Sequence, residues 1–499
     1  MYRMNKITLL AGEPNDANRD YLPEAIKASR MVVNENGNNS QVYPARLEEF
    51  HGSITDDGLA DTWYEYVPES YDPSKKTPLV FSMHGGLMTG WGQCIYTSWT
   101  HIADREGFIC VFPNAHDKRM WMIECDPNTI DELSQPMPEG IPSLNKPTGT
   151  VEEYHDVKLV LALLSHMKQR YNIDEGRVFM QGMSMGDCMT SQVARYCGAH
   201  FAATAGSGCP TNPLLLFAPD GSVINKGGAM DIWQSRLEHD RTPFHYSLDD
   251  RIVVRKNLEY WKIINDADVL PAISIRGEKN FAFYCGKKAN VVLMDVKNRD
   301  HGQTFDDAEM VWDYLFSGVR KEPDGTLTHT PTLCEQAGDA HAVAVCEGSD
   351  KAWLNGKIVP MKAPALRWEK LKYHGLNGDQ IVRGDYLCVP VGFLAEAFGG
   401  TLTEEENGRR AMLTLADGRV FAFAEGCIGC TVDNRIEAML CEAIYRNETL
   451  YISLEWFCRF AWNWQVSEYD GVLYATDHYS VLSRYLSWLL QDLLRGDNL

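Results

Sequence analysis

Ser184 sits in Gly182-Met183-Ser184-Met185-Gly186 and is the residue best placed to do chemistry. A serine hydroxyl attacks a carbonyl once a neighbouring base takes its proton, and that base must be held by a carboxylate. His200, His239, His245 and His301 follow Ser184 before the chain changes texture near residue 320. His301 lies in Asp300-His301-Gly302-Gln303, between an apolar run at 291–296 and a helical stretch from 306. A loop there can carry an imidazole to the serine, so His301 is the expected base. The acid should also end a strand and precede the histidine in the chain. Asp240, after the run 232–237, meets both conditions and is favoured; Glu278, after 273–277, is the alternative. The oxyanion of acyl transfer needs two N–H donors. One is the Met185 amide. The other should come from His84-Gly85-Gly86-Leu87, where Gly86 and Leu87 both stay open. His84 itself is expected to be a structural hydrogen-bonder, and Asp187 to point away from the base. This chemistry requires neither a metal nor an organic cofactor.

These groups need a sheet to hold them. Residues 178–183 are apolar and extended, and a helical stretch from about 188 follows the serine, which is the strand–turn–helix order of a nucleophile elbow. Gly182 and Gly186, lacking Cβ atoms, let strand and helix approach around it. Further strands are expected at 63–67, 77–83, 108–113, 201–205, 232–235, 271–275, 281–284 and 291–296. Helices are expected at 98–106, 152–169, 250–265 and 306–316. Nearly continuous apolar strands alternating with helices predict an α/β fold with a mostly parallel sheet covered on both faces. A short helix is expected at 23–33, before an Asn/Gly-rich loop. The proline-bearing stretch 114–150 reads as an excursion over one sheet face. With 206–229 it is expected to shape the pocket, and Trp121 and Trp233 are read equally as candidate walls or as ordinary packing.

Composition bounds the rest. The 499 residues are 44% hydrophobic, enough for more than one core. A net charge of −21 would repel a nucleic-acid backbone. No apolar run is long enough to span a membrane, and the opening residues do not read as a signal peptide. The 14 cysteines are scattered, mostly in apolar segments, and read as buried thiols. Cys427 and Cys430 form the one CxxC, which without a second ligand pair is a poor zinc signal.

Residues 1–320 are therefore read as a catalytic domain with an N-terminal extension, 321–334 as a linker, and 335–499 as a smaller α+β domain. The second domain carries an internal duplication in pattern: 387–394 resembles 450–457, and the hairpin at 353–358 resembles that at 431–436. Its tail, 480–494, has the leucine spacing of an amphipathic helix.

His84-Gly85-Gly86, Ala103 to Phe108, Phe112-Pro113-Asn114, the Ser184 pentapeptide and Asp300-His301-Gly302 together resemble the polyhydroxybutyrate depolymerase and feruloyl esterase group of α/β-hydrolases, over about residues 60–320. The resemblance implies a serine carboxylesterase acting on aryl, hydroxycinnamoyl, acetyl or short polyester esters, small or polymer-borne, with Ser184 as nucleophile and His301 as base. The family pattern of Gly-Glu-x-Asp after a strand meets Leu237 in place of its glycine before Asp240, and Asn280 in place of the Asp in the segment holding Glu278. Residues 335–499 resemble the copper amine oxidase N-terminal-like domain, a module that is not normally a copper site. Here His374 is the one imidazole between 342 and 476. Trp456, Trp462, Trp464, Tyr469 and Tyr474 are read mainly as core, with glycan or polymer contact as the other use. The resembled families imply an extracellular or cell-surface role. A serine peptidase or amidase on the same fold, and a non-catalytic surface or polymer-binding protein, are the alternative readings.

Overall fold

Apolar, β-branched and aromatic runs become the strands that carry the candidate residues. The computed structural model describes residues 6–10, 41–127, 129–136, 143–243, 246–371 and 381–496. The expected helix at 23–33 and the loop after it, together with His245 and His374, lie outside these. The chain forms two units: 1–269 with 283–336, and 270–282 with 337–499.

In the first unit, β1 (Leu47–Gly52) and β2 (Asp61–Tyr66) form an antiparallel edge, and β3 (Thr77–Met83) ends at His84. Two short helices, α1 (Gly90–Tyr96) and α2 (Trp99–Glu106), lead to β4 (Ile109–Pro113). Helix α3 (His155–Arg170) precedes β5 (Ile173–Met183), and α4 (Met185–Cys197) starts directly after Ser184. Then come β6 (Ala203–Ser207), β7 (Asp231–Leu237) and α5 (Asp250–Asn265). After β8 (Ala272–Arg276) and β9 (Lys279–Tyr284), which fall in the second unit apart from the last two residues of β9, the first unit resumes with β10 (Val291–Val296) and α6 (Asp307–Tyr314). The strand order in this unit is β1-β2-β4-β3-β5-β6-β7-β10. From β4 through β3, β5, β6 and β7 to β10 every pairing is parallel. A parallel sheet is buried on both faces, and β3, β4, β5, β6, β7 and β10 are accordingly buried along nearly their whole length. The carboxyl ends of β3, β5, β7 and β10 thus share one edge. The stretch read as a linker instead holds a small hairpin, β11 (Val319–Lys321) with β12 (Leu327–His329). Lys321 is buried there and donates to the Gly198 carbonyl at 2.6 Å.

The second unit is strand-rich. One sheet holds β13 (Ala342–Cys346), β14 (Lys351–Leu354) and β15 (Lys357–Pro360), completed by β25 (Gln465–Tyr469) and β26 (Val472–Thr476). A second holds β16 (Leu366–Leu371), β17 (Val382–Pro390), β23 (Ile444–Arg446) and β24 (Thr449–Ser453). A third runs from β18 (Gly400–Glu405) through β19 (Arg410–Leu415), β20 (Val420–Ala424) and β21 (Gly429–Val432) to β22 (Arg435–Ala438). Strand β17 feeds α7 (Val391–Ala397) and β24 feeds α8 (Leu454–Trp462), and the two strands pair antiparallel. The tail forms α9 (Arg484–Arg495), burying Leu486, Leu489, Leu490, Leu493 and Leu494. The aromatics given a possible contact role are mostly core here. Trp456 and Tyr474 are buried, and Trp462 and Trp464 pack on Phe398 with ring centroids 5.5 and 5.4 Å away. No described helix is long and apolar enough to cross a membrane.

Candidate active site

The elbow is built by steric necessity. Ser184 has φ 55° and ψ −121°, outside the regions open to an L-residue without strain. A Cβ on Gly182 would lie 2.0 Å from the Gly186 carbonyl oxygen, and one on Gly186 would lie 2.2 Å from that of Met83. Two glycines are therefore what allow β3, β5 and α4 to converge beneath the serine. The Ser184 N–H donates to the Ser207 carbonyl at 2.7 Å, tying the turn to β6.

The expected side chains meet above this turn. His301 Nε2 is 2.8 Å from Ser184 Oγ, and His301 Nδ1 is 2.9 Å from Asp240 Oδ1. Asp240 follows β7 in a turn closed by its own N–H on the Leu237 carbonyl, and the Arg241 N–H donates to the same Oδ1 at 2.8 Å. His301 follows β10, and Ser207 Oγ donates to the neighbouring Gly302 carbonyl at 2.6 Å. The Asp240 side chain is 8% exposed and that of His301 is 43%, so the imidazole is reachable from solvent while its carboxylate is shielded. The bond from Asp240 raises the His301 pKa above the ordinary histidine value, against the opposite pull of burial. Glu278 lies in the tight turn between β8 and β9, within the segment that belongs to the second unit.

The two open choices for the second amide separate in the structure. The Leu87 N–H already donates to the Arg119 carbonyl at 2.8 Å, so it is not available to an oxyanion. Leu87 accordingly drops out as a donor. The Gly86 N–H has no backbone acceptor among the described residues. Met185 opens α4, and a first-turn N–H has no intrahelical acceptor. Its side chain and the Gly86 backbone are neighbours, since a Cβ on Gly86 would lie 3.5 Å from Met185 Sδ.

His84 is locked as a scaffold. Its Nδ1–H donates to the Gly85 carbonyl at 2.6 Å, and its Nε2 accepts the Ala115 N–H at 2.9 Å. Burial lowers its pKa to about 4, so the ring stays neutral. Trp121 is fully buried, donates to the His84 carbonyl at 2.7 Å and packs on the His84 ring. Trp233 is buried in β7 with its N–H on Ser235 Oγ. Both tryptophans are thus buried packing residues, the packing alternative of the sequence. Asp187 does not bond His301; its Oδ2 accepts the Cys209 N–H at 3.0 Å, and burial lifts its pKa to about 6.

The supporting roles of Gln181, Gln303, Ser82, Trp99 and Gly208 escaped the sequence reading. Gln181 Nε2 donates to Gln303 Oε1 at 2.6 Å, joining β5 to the loop of His301. Ser82 Oγ and Trp99 Nε1 donate to Gln181 Oε1, so the buried amide is satisfied on both sides. Gly208, with φ 85°, lets the backbone pass the His301–Asp240 pair; a Cβ there would lie 3.2 Å from His301 Cε1. A glutamine inside the apolar run 178–183 was the available signal.

No protein-family model matches the chain. Over 293 residues it is 22% identical to a bifunctional acetylxylan esterase/xylanase of Neocallimastix patriciarum, covering 55% of this chain and 37% of that protein. A 74-residue stretch is 38% identical to dipeptidyl-peptidase 5 of Aspergillus fumigatus, covering 14% of this chain and 10% of the peptidase. The chain thus spans well under half the length of these curated relatives. Among solved structures, it is similar to an acetyl xylan esterase from Aspergillus awamori, at 14% identity and TM-score 0.38, over 54% of this chain and 99% of that one. It is also similar to a mutant feruloyl esterase module from Clostridium thermocellum complexed with sinapinate, at 13% identity and TM-score 0.32, over 54% of this chain and 86% of that one.

Proposed function

We propose that the first unit is a serine carboxylic-ester hydrolase with Ser184, Asp240 and His301 as its triad. The observation that carries this reading is the continuous pair of contacts from Ser184 Oγ through the His301 ring to Asp240. In the first half-reaction His301 Nε2 takes the Ser184 proton as Oγ bonds to the ester carbonyl carbon. Asp240 holds the ring and stabilises the imidazolium. The oxyanion is received by the Met185 and Gly86 amides. His301 then protonates the departing alcohol, leaving an acyl-serine. Water, deprotonated by the same nitrogen, releases the acid and restores the hydroxyl. Each step uses a group already held in place. No metal or cofactor enters this scheme.

Acetyl esters are the favoured substrates, supported by the sequence similarity to a protein named as an acetylxylan esterase. The test is a panel of 4-nitrophenyl acetate, acetylated xylan and methyl hydroxycinnamates, run on the parent and on Ser184→Ala. Acetyl release by the parent and its loss in the variant are expected. Cleavage of hydroxycinnamates alone would shift the acyl group while keeping the mechanism. Equal release by the parent and Ser184→Ala would remove the proposal. A serine peptidase is the second reading, favoured by the short match to a dipeptidyl-peptidase; turnover of a dipeptidyl anilide with inert esters would select it. The second unit is proposed as an accessory module of the copper amine oxidase N-terminal-like kind. The paired strands β17 and β24, each feeding a helix, support its reading as a duplicated unit.

A further inference from the structure

A second cluster of functional groups lies in the first unit, and the hydrolytic scheme does not use it. Asp61 opens β2, His116 follows β4 and His155 opens α3. Asp61 Oδ1 meets two imidazoles at once, His155 Nε2 at 2.9 Å and His116 Nδ1 at 3.0 Å. One donor atom from each of the three residues falls within 4.8 Å of the other two. The Asp61 side chain is fully buried, and its second oxygen, Oδ2, has no hydrogen-bond partner among the described residues. An ion-pair network alone does not account for that atom, because a buried carboxylate oxygen normally finds a donor.

We propose that Asp61, His116 and His155 form a binding site for a divalent cation of the zinc class. Two imidazoles and a carboxylate suit such an ion and leave a fourth position for water. The ligand atoms of a tetrahedral site, each about 2.0–2.2 Å from the metal, stand roughly 3.2–3.5 Å apart. The two separations from Asp61 Oδ1 widen by a few tenths of an ångström to admit the ion. The surroundings are already arranged for it. Asp57 Oδ2 accepts from His155 Nδ1 at 2.6 Å, the outer carboxylate that orients a metal-bound histidine. Asp57 is itself held by Thr55 Oγ1 and the Leu59 N–H. Asp156 accepts the His116 N–H at 3.0 Å and the Met122 N–H at 2.6 Å, which fixes the backbone that presents His116. The His116 side chain is 27% exposed and supplies the open side. Binding replaces the protons now lying between the imidazoles and Asp61, and these leave to solvent. The ion would clamp the starts of β2 and α3 to the residue after Ala115, whose N–H holds His84.

The test uses the tag-free full-length chain, titrated with Co²⁺ and then Zn²⁺. The readouts are calorimetry and the visible ligand-field absorption of tetrahedral cobalt. The parent should take up one equivalent of cobalt at the site with that absorption, and zinc should displace it. His116→Ala, on a partly exposed side chain, should abolish the absorption, and Asp61→Asn should do the same. Asp57→Asn should weaken affinity about 10–100-fold while keeping the coordination spectrum, as loss of an outer partner does. His51→Gln, on the exposed edge of β1, should bind as the parent does. If Asp61→Asn does not fold, His116→Ala and Asp57→Asn decide alone. Absence of one-equivalent uptake of either metal by the parent would overturn the site. Uptake unchanged by both His116→Ala and Asp57→Asn would overturn it equally.

Discussion

In the proposed triad His301 must be neutral to accept the Ser184 proton, and its hydrogen bond to Asp240 favours the charged ring. The sign follows directly. A raised pKa keeps the imidazolium populated to higher pH, so the acid limb of kcat/KM should fall above the ordinary histidine value of about 6.5, with activity rising as pH increases through it. Asp240→Asn removes that support. It should lower the limb towards or below the ordinary value while cutting kcat by about 10³–10⁴-fold, because the ring loses its orientation and tautomer. Glu278→Gln should leave both close to the parent. A pH–rate profile of the three proteins on one acetyl ester checks this, and the opposite pattern would make Glu278 the acid.

The elbow acts as an element, since its strain is distributed over a strand end and a helix start. Gly182 faces the Gly186 carbonyl so closely that any Cβ forces β5 and α4 apart. Gly182→Ala should therefore cost at least about 2–3 kcal/mol, at the upper end of ordinary overpacking. Its urea midpoint should drop accordingly, with activity lost together with fold. The buried Gln181–Gln303 pair belongs to the same scale. It fixes the loop after β10 to the strand before the serine, so two positions 122 residues apart in the chain act as one support.

At the scale of the whole chain, the second unit draws on a segment far from the rest of its sequence. Asn280 Nδ2 donates to the Val481 carbonyl at 3.0 Å, and its Oδ1 accepts the Ser483 N–H at 2.9 Å. Gly277 exchanges backbone bonds with Tyr479 and Val481, and Ser274 Oγ donates to Asp339. Residues 335–499 expressed alone would lack these partners and leave several groups without acceptors or donors, each costing about 1–3 kcal/mol where buried. That fragment should melt well below the matching transition of the full chain, or fail to fold, as read by calorimetry. The sequence placed this boundary as a simple cut near 335. The segment 270–282 looked like the first unit's next strands, because its alternation records burial and not which neighbour buries it.

Local chemistry determined a good deal from the sequence alone. The order of strands and helices, the Gly-x-Ser-x-Gly turn, and the strand-end positions of His301 and Asp240, the proposed base and acid, are legible in short spacings, because helix period, strand period and turn stereochemistry act over a few residues. Tertiary structure decided what depends on distant chain. The Arg119 carbonyl removes the Leu87 amide, Trp121 and Trp233 turn into packing, and Asp61, His116 and His155 converge from three separate elements. Those outcomes turn on which groups meet once the sheet brings its edges together, and periodicity within one element does not encode which residue of another element it will touch.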